Sequence, residues 1–549
     1  MGESPASVKR GQARRLVAAS AALIFSFLLA SCQGGAIEGS PSASCGDGLC
    51  SAEETCASCA TDCGACPTGC GDEVCAAEES CASCPSDCGA CPMGCGDEVC
   101  AADETCASCA NDCGLCPDLC GDGTCDASEL CSTCDADCGI CPDTPVTVTR
   151  GPYLQSGSSS GVVVRWRTNE NTDSVVAYGD DPTSLTNVAA SSTTTGEHAV
   201  RIDGLAAETR YYYAIGSSTA ALVGADDDHF FTTAPQAGAA RPTRIWVLGD
   251  SGTANDNARS VRDAYESFTG SRGTDLWLML GDNAYSDGTD DEYQRAVFDM
   301  YPDTLRNAVL WPTLGNHDGH SADSATQTGP YYDIFTLPTA AEAGGVPSGT
   351  EAYYAFDYAN VHFVCLDSYD SNPDPNGPMM TWMENDLAAT TQPWIVAFWH
   401  HPPYSKGSHD SDSEGGLEDM REFALPILES YGVDLVLSGH SHSYERSMLL
   451  NGHYGRSGTL TGSMMIDSGD GREGGDGAYL KPGSTTEGAV YIVAGSSGKT
   501  SSAPLDHPAM YISLLELGSV VLDVDDARLE ATFLDDAGSE RDTFTIRKD

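Results

Sequence analysis

The sequence predicts a multidomain chain: disulfide-rich repeats, then a β-sandwich, then a larger α/β domain in which a sandwich of strands is flanked by helices. Three observations carry this. Four units of 25 residues, six cysteines in each, hold 24 of the chain's 26 cysteines. A stretch of about ninety residues then shows short strand-like runs broken by Gly, Asn, Asp and Ser, with no helical period. Beyond residue 243, apolar runs alternate with helix-like stretches, and five of those runs end in a polar cluster. The 549 residues, 41% of them apolar, are enough for about three or four packed domains.

Residues 1–31 read as an export leader of lipoprotein type. Lys9, Arg10, Arg14 and Arg15 precede the apolar run "LVAASAALIFSFLLA", which is too short for a comfortable membrane span. "LASC" ending at Cys32 looks like a bacterial lipobox, with cleavage before Cys32 and lipidation of it; ordinary cleavage near Ala30 is the alternative. Either route predicts an exported protein, held at the outer membrane or cell surface by Cys32 or released.

Residues 45–142 are the repeats, beginning "CGDGLCSAEETCASCATDCGACP". An even count per unit in an exported protein predicts local disulfides, with 15 possible connectivities per unit. Zinc is the competing reading of the Cys-x-x-Cys pairs, and the span holds no histidine. It also holds no Lys or Arg, while Asp47, Glu53, Glu54 and Asp62 recur with small variations. Those carboxylates suit either a solvated acidic stalk or calcium. A spacer, or a module for a surface partner, is expected, with no chemistry of its own.

Over the whole chain, 27 basic residues stand against 81 acidic ones, a formal charge of −54. Such a surface collects cations and repels phosphate backbones, so nucleic-acid binding is not expected.

Residues 146–235 supply the predicted β-sandwich, in "GVVVRWRT", "SVVAYGD", "HAVRIDGL", "TRYYYAIG" and "HFFTTAP". A linker, 236–242, leads into residues 243–549. There "RIWVLGDSG", "LWLMLGDNAY", "LWPTLGNHD", "WIVAFWHHPPY" and "DLVLSGHSHSYE" each run from buried strand to polar cluster. In open α/β sheets, ligand groups gather beyond the carboxyl ends of the strands. One aspartate after one strand is ordinarily a turn or cap residue; five such clusters in one domain are not. Asp250, Asp282, Asn316, His317, His400, His440 and His442 are oxygen and imidazole donors of the kind that hold iron, zinc or manganese. His440 and His442 are two apart, so in an extended segment both rings project to one side. The two oxygens of one carboxylate can bridge cations about 3.5–4 Å apart. Asn283 reads as turn chemistry.

The order Gly-Asp-x-Gly, Gly-Asp-x-x-Tyr, Gly-Asn-His-Asp, His-x-Pro-x-Tyr and Gly-His-x-His resembles the calcineurin-like metallophosphoesterases, and Tyr285 narrows the resemblance to purple acid phosphatases. "GPYLQ", the Trp166 strand, "GLAAETRYYY" and "FTTAP" likewise look like the fibronectin-III-like domain that precedes the catalytic domain in that family. The resemblance covers roughly residues 146–549. It implies that Asp250, Asp282, Tyr285 and His442 hold a first metal, Fe(III) in the family. Asp282 then bridges to a second, divalent metal, Fe, Zn or Mn, held also by Asn316, His400 and His440. His401 competes with His400, and the spacing His-x-Pro-x-Tyr favours His400. Ala397 replaces a valine usual in relatives, at a strand packing position.

The implied chemistry is hydrolysis of phosphate monoesters: the metals lower the pKa of a bound water and clamp phosphate oxygens, and hydroxide attacks phosphorus in line. His317 corresponds to a family histidine that contacts phosphate and helps protonate the leaving group. His409, nine residues after His400, stands where the family places another substrate-side histidine; an exposed loop histidine is the equal alternative. Phosphodiester or nucleotide hydrolysis on the same scaffold is a rival, as is a surface-binding protein whose phosphatase domain is vestigial. Cys365 reads as a buried free thiol. His320, His362 and His453 match no motif, and 468–477 reads as a Gly-rich acidic loop, either a substrate rim or a connection.

Overall fold

The computed structural model describes residues 145–482 and 486–548. The leader, Cys32 and the 45–142 repeats lie outside the described residues. Among the described residues no helix is long and apolar enough to cross a membrane.

Six antiparallel strands come first: β1 (Val148–Gln155), β2 (Gly161–Gly179), β3 (Asn187–Asp203), β4 (Arg210–Gly216), β5 (Ala221–Gly224) and β6 (Phe230–Thr232). The sequence leads one to expect two separate sheets; hydrogen bonding joins all six into one. The reason is the length of β2 and β3, 19 and 17 residues, whose pairing shifts register around Arg167, Thr172 and Ser174. The N-terminal half of β2 pairs with β1 and its C-terminal half with β4, so one continuous ribbon wraps a core of Leu154, Val164, Trp166, Val176, Ile202, Tyr213 and Phe231. This domain is fastened to the next through β1 and β2. Arg167 forks onto Asp290 with both bonds at 2.6 Å, and the Tyr153 hydroxyl donates to the Ile334 carbonyl at 2.6 Å.

The second domain continues with β7 (Thr243–Leu248), β8 (Leu276–Met279), β9 (Val309–Pro312), β10 (Tyr354–Tyr358), β11 (Val361–Cys365), β12 (Trp394–Phe398), β13 (Leu435–Ser438) and β14 (Tyr444–Ser447). It closes with β15 (Leu449–Leu450), β16 (Met465–Asp467), β17 (Tyr479–Leu480), β18 (Val490–Ala494), β19 (Met510–Leu514), β20 (Gly518–Asp525), β21 (Arg528–Asp535) and β22 (Glu540–Arg547). Two seven-stranded sheets result, ordered β10-β11-β12-β13-β18-β14-β19 and β17-β22-β21-β20-β7-β8-β9. Their apolar faces share one core that includes Val247, Leu278, Phe363, Val396, Leu437 and Ile492.

Helices cover the outer faces. In α1 (Asp256–Thr269) the Asn255 side chain caps the backbone N–H groups of Asn257 and Ala258, at 3.0 and 3.2 Å. Its buried stripe Ala258, Val261, Ala264 and Tyr265 recurs at helical spacing, and Tyr265 stacks on Trp246 of β7. On the other sheet α2 (Pro378–Ala389) and the helical run 415–430 bury Met380, Met383, Leu425 and Leu428 against Val364, Ala397 and Val436. Burial of each such side chain contributes roughly 1.5–3 kcal/mol. With both faces covered, β12 reads "WIVAF" with no polar alternation, as a parallel strand should.

Strands β7, β8 and β9 run parallel, as do β11, β12, β13 and β18. Their carboxyl ends therefore emerge at one edge of the two sheets, and the polar clusters of the sequence follow those ends.

Candidate metal centre

The backbone turns sharply at three of the expected donors. Asp250, Asp282 and His440 have φ of 55°, 51° and 65°, in a region that costs a non-glycine residue on the order of 1–3 kcal/mol. The surrounding structure holds them there: the His440 amide donates to Asp250 Oδ2 at 2.6 Å, and the His317 amide to Asp282 Oδ1 at 3.0 Å. The glycine before each donor reflects crowding. A methyl group on Gly281, itself at φ 87°, would lie 2.5 Å from His400 Nδ1.

Two groups of donors result. In the first, the Tyr285 hydroxyl donates to Asp250 Oδ1 at 2.9 Å, and His442 Nε2 stands 3.4 Å from the same oxygen. In the second, Asn316 Oδ1 lies 3.0 Å from both His400 Nε2 and His440 Nδ1, which are themselves 3.2 Å apart. Asp282 stands between the groups, its Oδ1 3.3 Å from His400 Nε2. His400, not His401, faces Asp282 and Asn316. The His401 Nδ1 pairs with the Ser368 hydroxyl at 2.9 Å, although His401 also falls in a cluster with His400 and His440.

The second group fits a cation on its hydrogen bonding alone. His400 uses Nδ1 to donate to the Leu280 carbonyl at 2.8 Å, and His440 uses Nε2 to donate to Glu414 at 3.2 Å. In a neutral ring each histidine then turns its second nitrogen inward, toward the carbonyl oxygen of Asn316. Three atoms that are all acceptors when both rings are neutral converge within about hydrogen-bond distance, and a cation among them would satisfy all three at once. In the first group His442 likewise commits Nδ1 to Ser501, at 2.9 Å.

Electrostatics separate the two rings: they keep His440 neutral and, with no cation present, favour the proton on His400. Burial, followed by the neighbouring imidazoles of His400, His401, His409 and His442, holds His440 far below the ordinary imidazole pKa. Burial also pulls His400 down, but Asp282 and Asp250 outweigh it and leave its pKa raised. Tyr285 is kept a neutral phenol by burial and by the charges of Asp250 and Asp282.

His317 sits at the rim, its ring edge-on to Tyr285 with centroids 4.6 Å apart. Its Nδ1 bonds the Ser286 carbonyl at 2.6 Å, and its Nε2 is 3.9 Å from Asp282 Oδ2. His409 is brought to the site and is not a free loop residue: its ring centroid is 3.7 Å from that of His440. All nine expected residues thus gather at one edge of the domain.

Three residues here were not singled out by the sequence. Glu414 bonds His409 Nδ1 at 2.9 Å as well as His440. Lys499 holds its Nζ 3.7 Å from the centre of the Tyr285 ring. Asp318, the last residue of "GNHD", is fully buried and accepts from Gly315 N, Asn283 and Tyr293; burial and then Asp282 push its pKa up to about 7. Asn283 is correspondingly more than turn chemistry: it is buried and donates from Nδ2 to the Thr313 carbonyl and to Asp318. The 468–477 loop packs elsewhere, against the buried Arg446–Asp542 pair. Cys365 is buried, its thiol pushed up to about 12 by burial.

Residues 150–233 match the family described as the purple acid phosphatase N-terminal domain, and residues 243–444 match calcineurin-like phosphoesterase. The chain is 30% identical over 329 residues to purple acid phosphatase 22 of Arabidopsis thaliana, covering 56% of this chain and 69% of that protein. It is also 30% identical over 276 residues to purple acid phosphatase 15 of the same plant, covering 46% of this chain and 49% of that one. The chain thus spans about half to two thirds of the length of the curated relatives it matches. A purple acid phosphatase from yellow lupin (Lupinus luteus) seeds shares the fold at a TM-score of 0.55 and 17% identity, over 73% of this chain and 75% of that one.

Proposed function

Since this chain belongs to the purple acid phosphatase family, we propose that it hydrolyses phosphate monoesters at a binuclear metal centre. The observation that carries this is the meeting of His400 Nε2, His440 Nδ1 and Asn316 Oδ1 within 3.0–3.2 Å of one another, beside the Asp282 carboxylate. In this reading Asp250, Tyr285 and His442 would hold Fe(III), Asn316, His400 and His440 would hold a divalent iron, zinc or manganese, and Asp282 would be shared between them. Two such cations would supply a nucleophile from water at neutral or acid pH and draw charge from the phosphoryl oxygens.

The protein's own groups do the rest. The amide of His317 holds Asp282 Oδ1 and so fixes the bridging carboxylate. The His317 ring, anchored through Nδ1 on Ser286, turns Nε2 toward the site, where it contacts a phosphoryl oxygen. His409, on the opposite side against His440, delivers a proton to the departing alkoxide. Neither histidine forms a bond to phosphorus, so no covalent intermediate is required.

The N-terminal β domain is of fibronectin-III type in this reading. The leader and repeats make the protein an exported one, lipid-anchored through Cys32 and spaced from the surface by disulfide-bonded units, with calcium or a surface partner as their ligand.

The test loads the full chain with iron and zinc and assays a chromogenic monoester and the matching diester beside Asp282→Ala. Monoester turnover that is lost in the variant supports the reading. Dominant diester turnover overturns the substrate, and equal inertness of both proteins overturns the enzyme.

A further inference from the structure

Glu414 belongs to none of the five strand-end motifs. It lies in "SDSEGG", just before the helical run 415–430, on a loop that follows His409 by five residues. Its carboxylate nevertheless reaches both histidines on that side of the centre. Oε1 and Oε2 lie 2.9 and 3.0 Å from His409 Nδ1, and Oε2 lies 3.2 Å from His440 Nε2. The two rings it holds lie nearly one over the other, 34° from parallel.

We propose that Glu414 is a positioning residue that couples a metal ligand to the leaving-group histidine, by holding His440 in the tautomer with Nδ1 bare and His409 in place above it. This rests on the phosphatase reading above. The physical case is local. An imidazole ligates through a nitrogen that carries no proton, and a carboxylate on the other nitrogen both fixes that tautomer and makes the ring a better donor. His400 has a backbone carbonyl in this role and His442 a serine hydroxyl; His440 has Glu414, the one charged acceptor of the three. Because the same carboxylate accepts from His409 Nδ1–H, the proton that passes to the leaving alkoxide is the one His409 carries on Nε2 as an imidazolium, and its transfer leaves a neutral ring still bonded to Glu414 through Nδ1. The loop is itself braced for this. The Ser408 hydroxyl accepts from the His442 amide at 2.9 Å, and the buried Arg421 guanidinium donates to the carbonyls of Pro403 and Ser411 on either side of His409.

The experiment strips the full chain of metal and titrates zinc back against a competing chromogenic chelator, for wild type, Glu414→Ala and Glu414→Gln. Turnover of an alkyl phosphate and of a nitrophenyl phosphate is measured alongside. Circular dichroism confirms that the variants are folded, and the isosteric Gln keeps one acceptor. Wild type is expected to take up two ions per chain. Glu414→Ala should weaken one of them by about 10- to 100-fold, the range usual when a partner of a ligating histidine is lost, and leave the other within about twofold. Glu414→Gln should recover part of that affinity. The alkyl ester, whose leaving group needs the proton, should lose about tenfold more kcat than the nitrophenyl ester in Glu414→Ala. Two ions bound by wild type with unchanged affinity in Glu414→Ala overturn the role of Glu414 and leave the phosphatase reading standing. A third ion in wild type, lost in both variants, also overturns it, because Glu414 is then a ligand. Fewer than two ions in wild type overturn the underlying reading.

Discussion

Asn283 is tied to Asp318 by three hydrogen bonds: its backbone N–H reaches the two carboxylate oxygens at 3.2 and 3.1 Å, and its Nδ2 reaches one of them at 3.0 Å. Asn283 follows β8 and Asp318 follows β9, so these bonds lock together the two loops that carry Asp282 and Asn316. Replacing Asn283 by Ala leaves the Thr313 carbonyl without its amide donor and takes one donor from Asp318, which keeps its bonds from the backbone N–H at 283, Gly315 and Tyr293. The expected loss is about 1–3 kcal/mol of stability, and metal affinity falls with it. Urea denaturation with metal titration checks both; a variant of wild-type stability would show that water substitutes for the amide.

The strand-end donors were legible because they share a local grammar: an apolar parallel strand and then an oxygen or imidazole donor, with a glycine between in four of the five clusters and Trp399 before His400 in the other. Glu414 and Lys499 were not, because they enter from loops whose path depends on tertiary packing, with no period or motif to announce them. Asn283 was misread for a related reason. A polar residue after a strand is usually a turn residue, and only the return of β9 beside β8 shows that this one faces another loop. The single wrapped sheet of the first domain was hidden because the bends in β2 and β3 contain Asn, Thr and Gly, which read as strand ends in sequence.

The glycine before Asn316 makes a sharp prediction. A methyl group on Gly315 would overlap the backbone nitrogen and carboxylate of Asp282. Neither can give, because both belong to the crowded floor of the centre. Gly315→Ala should therefore purify with little or no metal and lose activity by at least about 100-fold, at a stability cost of about 1–3 kcal/mol. Gly458→Ala, where an added methyl meets nothing within 4 Å, is the neutral control. Elemental analysis of the purified proteins reads the difference.

A pH dependence arises away from the metal centre. His362 is buried between two carboxylates, with Nδ1 2.8 Å from Asp357 and Nε2 2.7 Å from Asp386. Burial opposes its charge, but the hydrogen bonds to Asp357 and Asp386 prevail and raise its pKa to about 9. The folded state thus binds a proton that the unfolded state, near 6.5, releases first. That stabilisation is fully present below about pH 6.5 and is lost as pH rises through about 9. Its size is on the order of 3 kcal/mol. Urea unfolding at pH 6 and pH 9.5 should show this fall in the wild type and a flatter profile in His362→Gln. Parallel profiles would mean that other groups set the alkaline limit.

Lys499 and Tyr285 supply the last prediction. The ammonium stands over the face of the ring that the proposed centre uses as a ligand, 3.7 Å from its centroid. Burial disfavours the charge of Lys499, whereas Asp250 and Asp282 favour it. A cation over an aromatic face lowers the energy of the ring's electrons by about 0.5–2 kcal/mol. If Tyr285 is deprotonated on Fe(III), the phenolate gives up an electron to the metal when it absorbs visible light, and the cation makes that transfer harder. Lys499→Met should therefore move the charge-transfer band of the iron-loaded protein to longer wavelength, by on the order of 10 nm for a stabilisation of that size. The methionine keeps the length and packing of the side chain, so the shift reports charge and not a collapsed loop. A band that stays in place would mean that Lys499 leaves the ring once the site is filled. A protein with no such band after iron loading would remove Tyr285 from the ligand set.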